Sequence, residues 1–384
     1  LTGLEMKMII SSCQSEALSL SMVACGAPVA KSTAKSDAAS MVQSIPSNVD
    51  LGTPVSKDGE PAASKAASTA QTEAGATFPV TITDALGREI MIEKQPQKIV
   101  SGYYITSSLL IALGLETKVV GMEAKAKTRP IYALAAPEML NLPNVGTAKE
   151  FDLEGCAALK PDLVILPIKL KDSVKALEEL GITVLAVNPE GTEQLQETIE
   201  TIGIATGTTD TATGLIRYNM NQTQDLIDLL AEAKKPTVYL GGNSAFLSTA
   251  GAKMFQNTLI DIAGGKNVAA ELTDSYWAEV SYEQVIAWNP AVIVLASDAQ
   301  YTVQDVLNDK NIAGVTAVKN KAVYQMPGDY EAWDSPVPSS ILGSLWLASV
   351  LHSDVYTAEM FTKEANTFYS DYYGIAYQAA KKAA

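Results

Sequence analysis

Short apolar runs alternate with longer amphipathic stretches along most of this chain. Residues 163–166 and 184–187 are apolar runs of strand length, and residues 173–180 between them carry apolar positions at the helical period. Residues 78–92 alternate apolar and polar positions on both sides of a glycine-containing turn, which predicts a strand–turn–strand unit. Strands that alternate with helices are typical of parallel sheets. The pattern therefore predicts an α/β protein.

One pattern occurs twice, first around Glu154 and again around Glu283. Each copy has a glutamate, a short helical stretch, a proline seven residues after the glutamate (Pro161 or Pro290) and then an apolar strand. A repeat of this kind, embedded in alternating helices and strands, predicts two similar α/β lobes. Two lobes create a cleft, and a cleft is the default location of a binding site.

A long amphipathic stretch over residues 210–234 predicts one helix between the two halves of the chain. Such a helix is about 37 Å long at a rise of 1.5 Å per residue, which is enough to bridge two lobes. We expect an N-terminal α/β lobe over residues 78–207, the connecting long helix over 208–235, and a C-terminal α/β lobe with a C-terminal helix over 236–384.

The N-terminal residues resemble a bacterial lipoprotein signal. Residues 1–25 contain Lys7, an apolar stretch and small residues before Cys25, although polar residues 11–16 interrupt the apolar stretch. The alternative is an N-terminus that contains a cysteine without being lipidated. Residues 26–77 are rich in Ala, Ser, Thr, Lys and Pro and have no apolar period, which predicts a flexible tether.

Composition excludes several classes of function. The formal net charge of -15 argues against a nucleic-acid partner, because such partners are bound through clustered Lys and Arg. No run of 18 apolar residues occurs, so contact with a membrane is expected through a lipid anchor only. Cys156 falls among apolar positions and is predicted to be a buried structural thiol. The single histidine, His352, argues against a histidine-rich metal site, and no metal ligands are predicted.

Motifs of catalysis are missing from the sequence. It contains no GxSxG, no P-loop, no HExxH and no glycine fingerprint for dinucleotides. We therefore predict a binding protein with no catalytic residues and no resident cofactor. Two alternatives remain open, an enzyme that uses Asp and Glu of the cleft, and a surface adhesion or sensor module on a similar two-lobed fold.

Several segments together resemble one known family. They are residues 80–88, residues 98–101, residues 145–147 ahead of Asp152-Leu153-Glu154, residues 159–165, residues 280–283 and residues 288–290. In combination they resemble the class III periplasmic binding proteins, which are substrate-binding proteins of bacterial ABC importers for iron–siderophore complexes, haem and cobalamin. The resemblance covers roughly residues 78–355. It implies two Rossmann-like lobes with parallel sheets joined by one long helix, and an extracytoplasmic monomer that is periplasmic or lipid-anchored to the cell membrane.

The resemblance also gives the repeated glutamates a role. In the family, one exposed glutamate on each lobe pairs with arginines of the permease dimer, and Glu154 and Glu283 match those positions. Charge complementarity of this kind sets orientation and association rate. The alternative is that each glutamate only favours the N-terminus of its own helix.

Ligands of open α/β sheets lie beyond the carboxyl ends of the strands, so the loops there supply the candidate ligand-binding residues. Tyrosine and tryptophan suit planar chelates, and Arg129, beside Lys125 and Lys127, suits a ligand carboxylate or phosphate. Ordinary packing is the alternative for each aromatic residue. The candidates are Tyr103, Tyr104, Arg129, Tyr132, Thr147, Lys149, Asn243, Phe246, Trp277, Tyr330 and Trp333.

The sequence favours a metal chelate as the ligand without identifying it. Iron–siderophore complexes suit the basic cluster, cobalamin suits aromatic walls, and haem suits an axial ligand such as Tyr103 or Tyr104. An iron chelate is the preferred hypothesis, and haem or cobalamin is the alternative.

Overall fold

The computed structural model describes residues 77–273 and 276–378. The predicted signal segment 1–25, with Cys25, and nearly all of the predicted tether 26–77 lie outside the described residues.

An antiparallel hairpin of β1 (Val80–Thr83) and β2 (Glu89–Ile92) precedes the first lobe, as the alternating pattern predicts. Asp84 fixes its turn, because Oδ1 accepts the backbone N–H groups of Leu86 and Arg88, each at 3.0 Å. Oδ2 of the same carboxylate accepts the N–H of Ala186 at 3.1 Å. This last bond attaches the hairpin to the edge of the N-terminal sheet.

The N-terminal sheet is wholly parallel, with strand order β4-β3-β5-β6. Its strands are β3 (Ile99–Ser101), β4 (Val119–Met122), β5 (Leu163–Pro167) and β6 (Val184–Val187). Every residue of β3, β5 and β6 is buried, which is typical of parallel strands covered on both faces. The accompanying helices are α1 (Tyr104–Ala112), α2 (Pro130–Ala135), α3 (Leu153–Ala158), α4 (Lys171–Glu179) and α5 (Thr192–Thr206).

The connecting helix α6 spans Thr209–Leu229 and buries Leu215 and Leu226 of the predicted apolar stripe. It follows α5 after Gly207, whose φ of 74° ends that helix in the left-handed region. The helix stops earlier than the predicted residue 234. Residues 230–233 form a tight turn instead, since the chain must become extended before Pro236 to enter the next strand.

The C-terminal sheet is mixed, with strand order β10-β8-β7-β11-β12 and β9 also paired with β7. Strands β7 (Thr237–Gly241), β9 (Lys266–Asn267), β11 (Val292–Leu295) and β12 (Val323–Gln325) are parallel. The short strands β8 (Ser248–Thr249) and β10 (Ala278–Glu279) are antiparallel. The short loop between β7 and β8 imposes this direction, because only antiparallel neighbours can be joined so directly.

The helices of the C-terminal lobe are α7 (Phe255–Ile262), α8 (Tyr282–Trp288), α9 (Val303–Asn308), α10 (Thr316–Lys319), α11 (Ile341–Leu351) and α12 (Ala358–Tyr373). Helix α11 is apolar on all sides and nearly all buried. Helix α12 packs against α11 and also against α1 of the N-terminal lobe. The last helix therefore contacts both lobes.

The sequence repeat has a matching backbone geometry. Glu154 is the second residue of α3, and Glu283 is the second residue of α8. Each helix is followed by a residue in the left-handed region, Lys160 with φ 51° and Asn289 with φ 45°, immediately before the repeated proline. Non-glycine residues rarely adopt this conformation. The predicted fold of two α/β lobes joined by one long helix is confirmed, with the correction that the second sheet is only partly parallel.

The buried interior holds the isolated cysteine and histidine. Cys156 is fully buried, as predicted, and its burial raises the pKa of the thiol to about 11. His352 is also buried, and its Nε2 lies 3.1 Å from the carbonyl oxygen of Gly264. Within residues 77–273 and 276–378, no helix has both the length and the apolar character needed to cross a bilayer.

Candidate functional site

A small cavity lies between the lobes, at the carboxyl ends of strands from both sheets. Its volume is ≈ 110 Å³. We call it the interlobe cavity. The N-terminal lobe lines it with Tyr104, Ser108 and residues 128–132, and the C-terminal lobe lines it with Ser297, Asp298, Gly328, Tyr330, Glu331, Ala332 and Val337. Its position is that expected of a ligand site in α/β sheets.

Arg129 brings a positive charge to the wall of this cavity. Its guanidinium carbon lies 4.1 Å from the centre of the Tyr104 ring. Its Nε is buried and has no hydrogen-bond partner among the described residues. The ion pairs found in that part of the chain do not include Arg129. A buried donor of this kind is costly unless a ligand or water accepts its hydrogen bond.

Two exposed lysines lie close to Arg129 in the sequence, although neither lines the cavity. Lys125 precedes the 3-10 turn Ala126–Thr128, and Lys127 lies within it. Three cations within five residues are notable in a chain whose formal net charge is -15. A local positive patch attracts anions from solution and raises their rate of association.

Glu331 forms part of the opposite wall and is buried. Its carboxylate accepts hydrogen bonds from the hydroxyls of Ser108 and Ser339. Burial raises the pKa of Glu331, while the hydroxyls of Ser108, Ser339 and Tyr373 and the Arg129 charge act in the opposite direction. The contact between Ser108 and Glu331 links the two lobes directly at the cavity.

Glu123 is a second buried carboxyl, behind the N-terminal wall. It accepts a hydrogen bond from Ser107, and the Tyr132 hydroxyl lies 2.8 Å from its Oε1. Burial raises the pKa of Glu123 as well. Adjacent serines of α1 therefore contact different acids, since Ser107 bonds to Glu123 of its own lobe and Ser108 bonds to Glu331 of the other.

Four of the predicted ligand-binding residues line the interlobe cavity. They are Tyr104, Arg129, Tyr132 and Tyr330. Tyr132 is almost fully buried, so it contributes to the floor. Tyr103 lies next to the cavity, with its ring 5.1 Å from that of Tyr104 and its hydroxyl donating to Glu190 at 3.1 Å.

Thr147 and Lys149 belong to a different loop, ahead of α3. The Thr147 hydroxyl accepts the backbone N–H groups of Lys149 and Glu150, at 3.2 and 3.1 Å. Neither Thr147 nor Lys149 lines the interlobe cavity. The geometry accounts for Thr147 as a turn-forming residue.

Asn243, Phe246 and Trp277 gather beyond the carboxyl end of β7, outside the residues that line the cavity. Trp277 covers Gly242, where a Cβ atom would be only 2.8 Å from the indole ring. Phe246 packs against Tyr239, with ring centres 5.2 Å apart. Packing within the C-terminal lobe therefore explains much of this cluster.

Trp333 lies in the core, in contrast to the prediction of a ligand-facing ring. Only 1% of it is exposed. Its Nε1 donates to the Tyr369 hydroxyl at 2.9 Å, and its ring contacts Phe361 and Tyr377. The loop after Tyr330 turns inward beneath α12, and this turn removes Trp333 from the cleft.

Sequence reasoning did not identify Ser108, Glu331 or the glycine and serine residues of the C-terminal wall. Glu331 carried one usable signal, because it is an acidic residue within an otherwise aromatic and apolar stretch, residues 330–333. Ser108 carried none, since it resembles any polar residue near the start of a helix.

A larger hollow of ≈ 330 Å³ lies between the hairpin and α5. Its lining comes from the hairpin and the N-terminal lobe, and includes Asp84, Asn188 and Glu197. Asp84 is already bonded to Arg88 and to backbone N–H groups. This hollow lacks the two-sided geometry of the interlobe cavity.

Glu154 and Glu283 are exposed at equivalent helix positions, one on each lobe. Asp152 caps α3 by accepting the N–H of Gly155 at 2.8 Å, and Ser281 caps α8 by accepting that of Gln284 at 3.2 Å. The helix backbone and the Ser281 hydroxyl lower the pKa of Glu283. Among the described residues, no group of three or more His, Cys, Asp or Glu is arranged to hold a metal ion.

A family model described as periplasmic binding protein matches residues 99–330, more than half of the chain. The chain belongs to this family. Its members are solute-binding proteins, and a relative in Bacillus subtilis is named as an ABC transporter substrate-binding lipoprotein. That relative is 30% identical, over 73% of this chain and 87% of its own. The comparison supports an extracytoplasmic solute-binding protein of an ABC importer.

Two further relatives have names that include a ligand. The molybdate-binding protein MolA of Haemophilus influenzae is 27% identical, over 77% of this chain and 92% of its own. The solved structure of MolA bound to molybdate matches with a TM-score of 0.69 at 26% identity, covering 78% of this chain and 99% of that one. A cobalamin-binding protein of Halobacterium salinarum is 25% identical over 66% of this chain and 68% of its own.

Proposed function

We propose that this protein, acting as a monomer, captures an anionic solute in the interlobe cavity and delivers it to an ABC permease dimer. The inference that the ligand is an anion rests on one observation. The guanidinium of Arg129 makes no ion pair among the described residues, and its buried Nε has no hydrogen-bond partner. Guanidinium binds oxyanions and carboxylates through paired N–H donors. The exposed lysines beside Arg129 affect the association rate rather than the affinity, because solvent and salt screen their charge.

The size of the interlobe cavity favours a small tetrahedral oxyanion. Its volume of ≈ 110 Å³ is small for a ligand pocket. Drug-sized ligands occupy pockets of roughly 300–1,000 Å³. MolA, a relative of similar length, is named for molybdate, which is an ion of this class.

An anionic metal chelate is the second candidate, with an iron–siderophore complex first and haem or cobalamin after it. The aromatic faces of Tyr104 and Tyr330 at the cavity favour it, as does the relative named for cobalamin. Ligands of this size require the lobes to lie further apart than in this structure.

Calorimetric titration distinguishes the two candidates. The protein is titrated with molybdate, tungstate, sulfate and phosphate, and separately with a ferric siderophore, haem and cobalamin. We expect saturable binding of one oxyanion, reduced at least about tenfold in Arg129→Gln and nearly unchanged in the exposed neighbour variant Lys127→Gln. Binding of a chelate alone favours the second candidate, and equal binding by wild type and Arg129→Gln contradicts both.

We also propose that Glu154 and Glu283 bind arginines of the two permease subunits. Their support is the equivalent position, second in a capped helix of each lobe, together with the exposure of both residues to solvent. Two equivalent acidic anchors suit a twofold partner.

For location, we propose that Cys25 is lipidated and anchors the protein to the outer face of the cell membrane. The support is the small-residue sequence before Cys25 and the Bacillus subtilis relative named as a lipoprotein. Mass spectrometry of the protein from its native membrane tests this, with release of Cys25→Ser from the membrane as the expected result.

A further inference from the structure

Residues 369–378, at the end of α12 and just after it, contact Tyr330 directly and Glu331 through Ser108. Tyr330 and Glu331 are consecutive residues of the interlobe cavity. The Tyr330 ring lies 4.7 Å from the ring of Tyr369 and 5.1 Å from that of Tyr377. Its hydroxyl donates to the carbonyl oxygen of Ala376 at 3.1 Å and accepts the N–H of Gln378 at 2.9 Å. Tyr330 therefore reaches the cavity while its hydroxyl is bound to the C-terminal segment.

Glu331 is connected to the same helix through Ser108. The Tyr373 hydroxyl lies 2.8 Å from Oγ of Ser108, which in turn donates to Glu331. Ser108 belongs to α1 of the N-terminal lobe, Glu331 to the C-terminal lobe, and Tyr373 is the last residue of α12. A single buried network thus joins both lobes and the end of the chain.

These contacts matter because Glu331 lies in a segment without regular structure. Residues 326–340 connect β12 to α11 with neither helix nor strand. Such a segment lacks the regular backbone hydrogen bonds of a helix or a sheet, so its geometry depends on side-chain contacts. A buried carboxylate also demands donors in fixed positions.

We infer that residues 369–378 act as a brace for the ligand site, with Tyr373 as a positioning residue. Tyr373 is absent from the cavity lining. It acts by holding the Ser108 hydroxyl toward Glu331, and so fixes the distance between the two cavity walls. The role in ligand binding rests on the proposed function of the interlobe cavity, whereas the bracing itself does not.

Paired phenylalanine variants test the brace in the full chain. Tyr373→Phe keeps the ring and removes only the hydroxyl. Tyr372→Phe is the matched control. Tyr372 lies on the same helix as Tyr373, and its half-buried ring packs against Phe368 of that helix and Tyr218 of α6. The first readout is hydrogen exchange of the unliganded protein, which reports local opening.

We expect Tyr373→Phe to speed exchange in residues 328–335 and 104–108 by about two- to tenfold, as the loss of one buried hydrogen bond implies. Tyr372→Phe should leave both segments unchanged. A purely structural role of Tyr373 predicts faster exchange within α12 alone. That result, or equal effects of the two variants, overturns the brace.

Calorimetric titration with molybdate is the second readout. We expect Tyr373→Phe to raise the Kd by about two- to tenfold and Tyr372→Phe to leave it unchanged. Faster exchange with an unchanged Kd overturns the positioning role. If molybdate fails to bind the wild type, the oxyanion proposal fails, while the exchange measurement still decides for or against the brace.

Discussion

The guanidinium of Arg129 is stacked on the ring of Tyr104, with its carbon 4.1 Å from the ring centre. Stacking uses the face of the guanidinium and leaves its N–H donors free in the plane. The arrangement holds a charged side chain in a defined orientation without neutralising it. Arg129 is therefore pre-organised for an anion, which lowers the entropic cost of binding.

The first prediction concerns the aromatic partner of this pair. Tyr104→Leu removes the π face, so we expect affinity for molybdate to fall by about three- to thirtyfold, the range of a partly desolvated cation–π contact. Tyr104→Phe keeps the face and should bind within about twofold of wild type. Calorimetric titration measures both. Equal losses in the two variants would mean that the hydroxyl, rather than the ring, supports binding.

The second prediction concerns the pH dependence of stability. Burial raises the pKa of Glu331 above its ordinary value. The folded state then holds this proton more tightly than the unfolded chain, so stability from this group is lost as pH rises from the unfolded pKa through the folded pKa. Glu331→Gln does not titrate. Its free energy of unfolding relative to wild type should therefore rise from about pH 4 upward, by at most about 1.4 kcal/mol per pH unit.

Urea unfolding at a series of pH values measures this difference. Glu359→Gln is the control, since Glu359 is an exposed acid in the first turn of α12. Its difference from wild type should stay constant over the same range. A relative stability of Glu331→Gln that falls with rising pH would mean that the Ser108 and Ser339 hydroxyls and Arg129 outweigh the cost of burial.

The repeat was the part of the fold most readily predicted from sequence. Local chemistry determines it, because a capped helix start, a left-handed residue and a proline all lie within a few residues of Glu154 and of Glu283. Arg129 and Tyr104 were also within reach, since ligands of α/β sheets are expected at the loops that follow strands.

The remaining site depends on contacts between distant parts of the chain. Ser108 meets Glu331 only after both lobes and α12 have assembled, and no local pattern encodes that meeting. Trp333 was assigned to the ligand for the same reason. Its burial follows from contacts with Tyr369 and Phe361 of the last helix, which are distant from Trp333 in the sequence.

The third prediction concerns the thiol of Cys156. Burial raises its pKa to about 11 and removes it from solvent. Since only the exposed thiolate reacts readily, we expect native protein to react slowly with a disulfide reagent near pH 8. A Cys13→Ser/Cys25→Ser variant isolates this thiol. Absorbance of the released thiolate should appear at once in concentrated guanidinium chloride, and equally fast reaction of native protein would contradict the burial.

The last prediction separates ligand capture from delivery. Glu154→Ala and Glu283→Ala remove one exposed charge from each lobe, and neither residue lines the interlobe cavity, so ligand affinity should be unchanged. Uptake of the bound solute, in cells that lack their own copy of the protein, should fall in each variant and by on the order of tenfold or more in the double variant.

Glu359→Ala is the matched control for delivery, because it removes an exposed glutamate from the first turn of a different helix, α12. It has the same favourable relation to its helix N-terminus, so it reproduces any loss of helix stability. If Glu359→Ala reduces uptake as much as the paired variants, helix stability explains the effect. If only the paired variants do so, and rising ionic strength weakens wild-type delivery in parallel, the two glutamates act as charged anchors on a twofold partner.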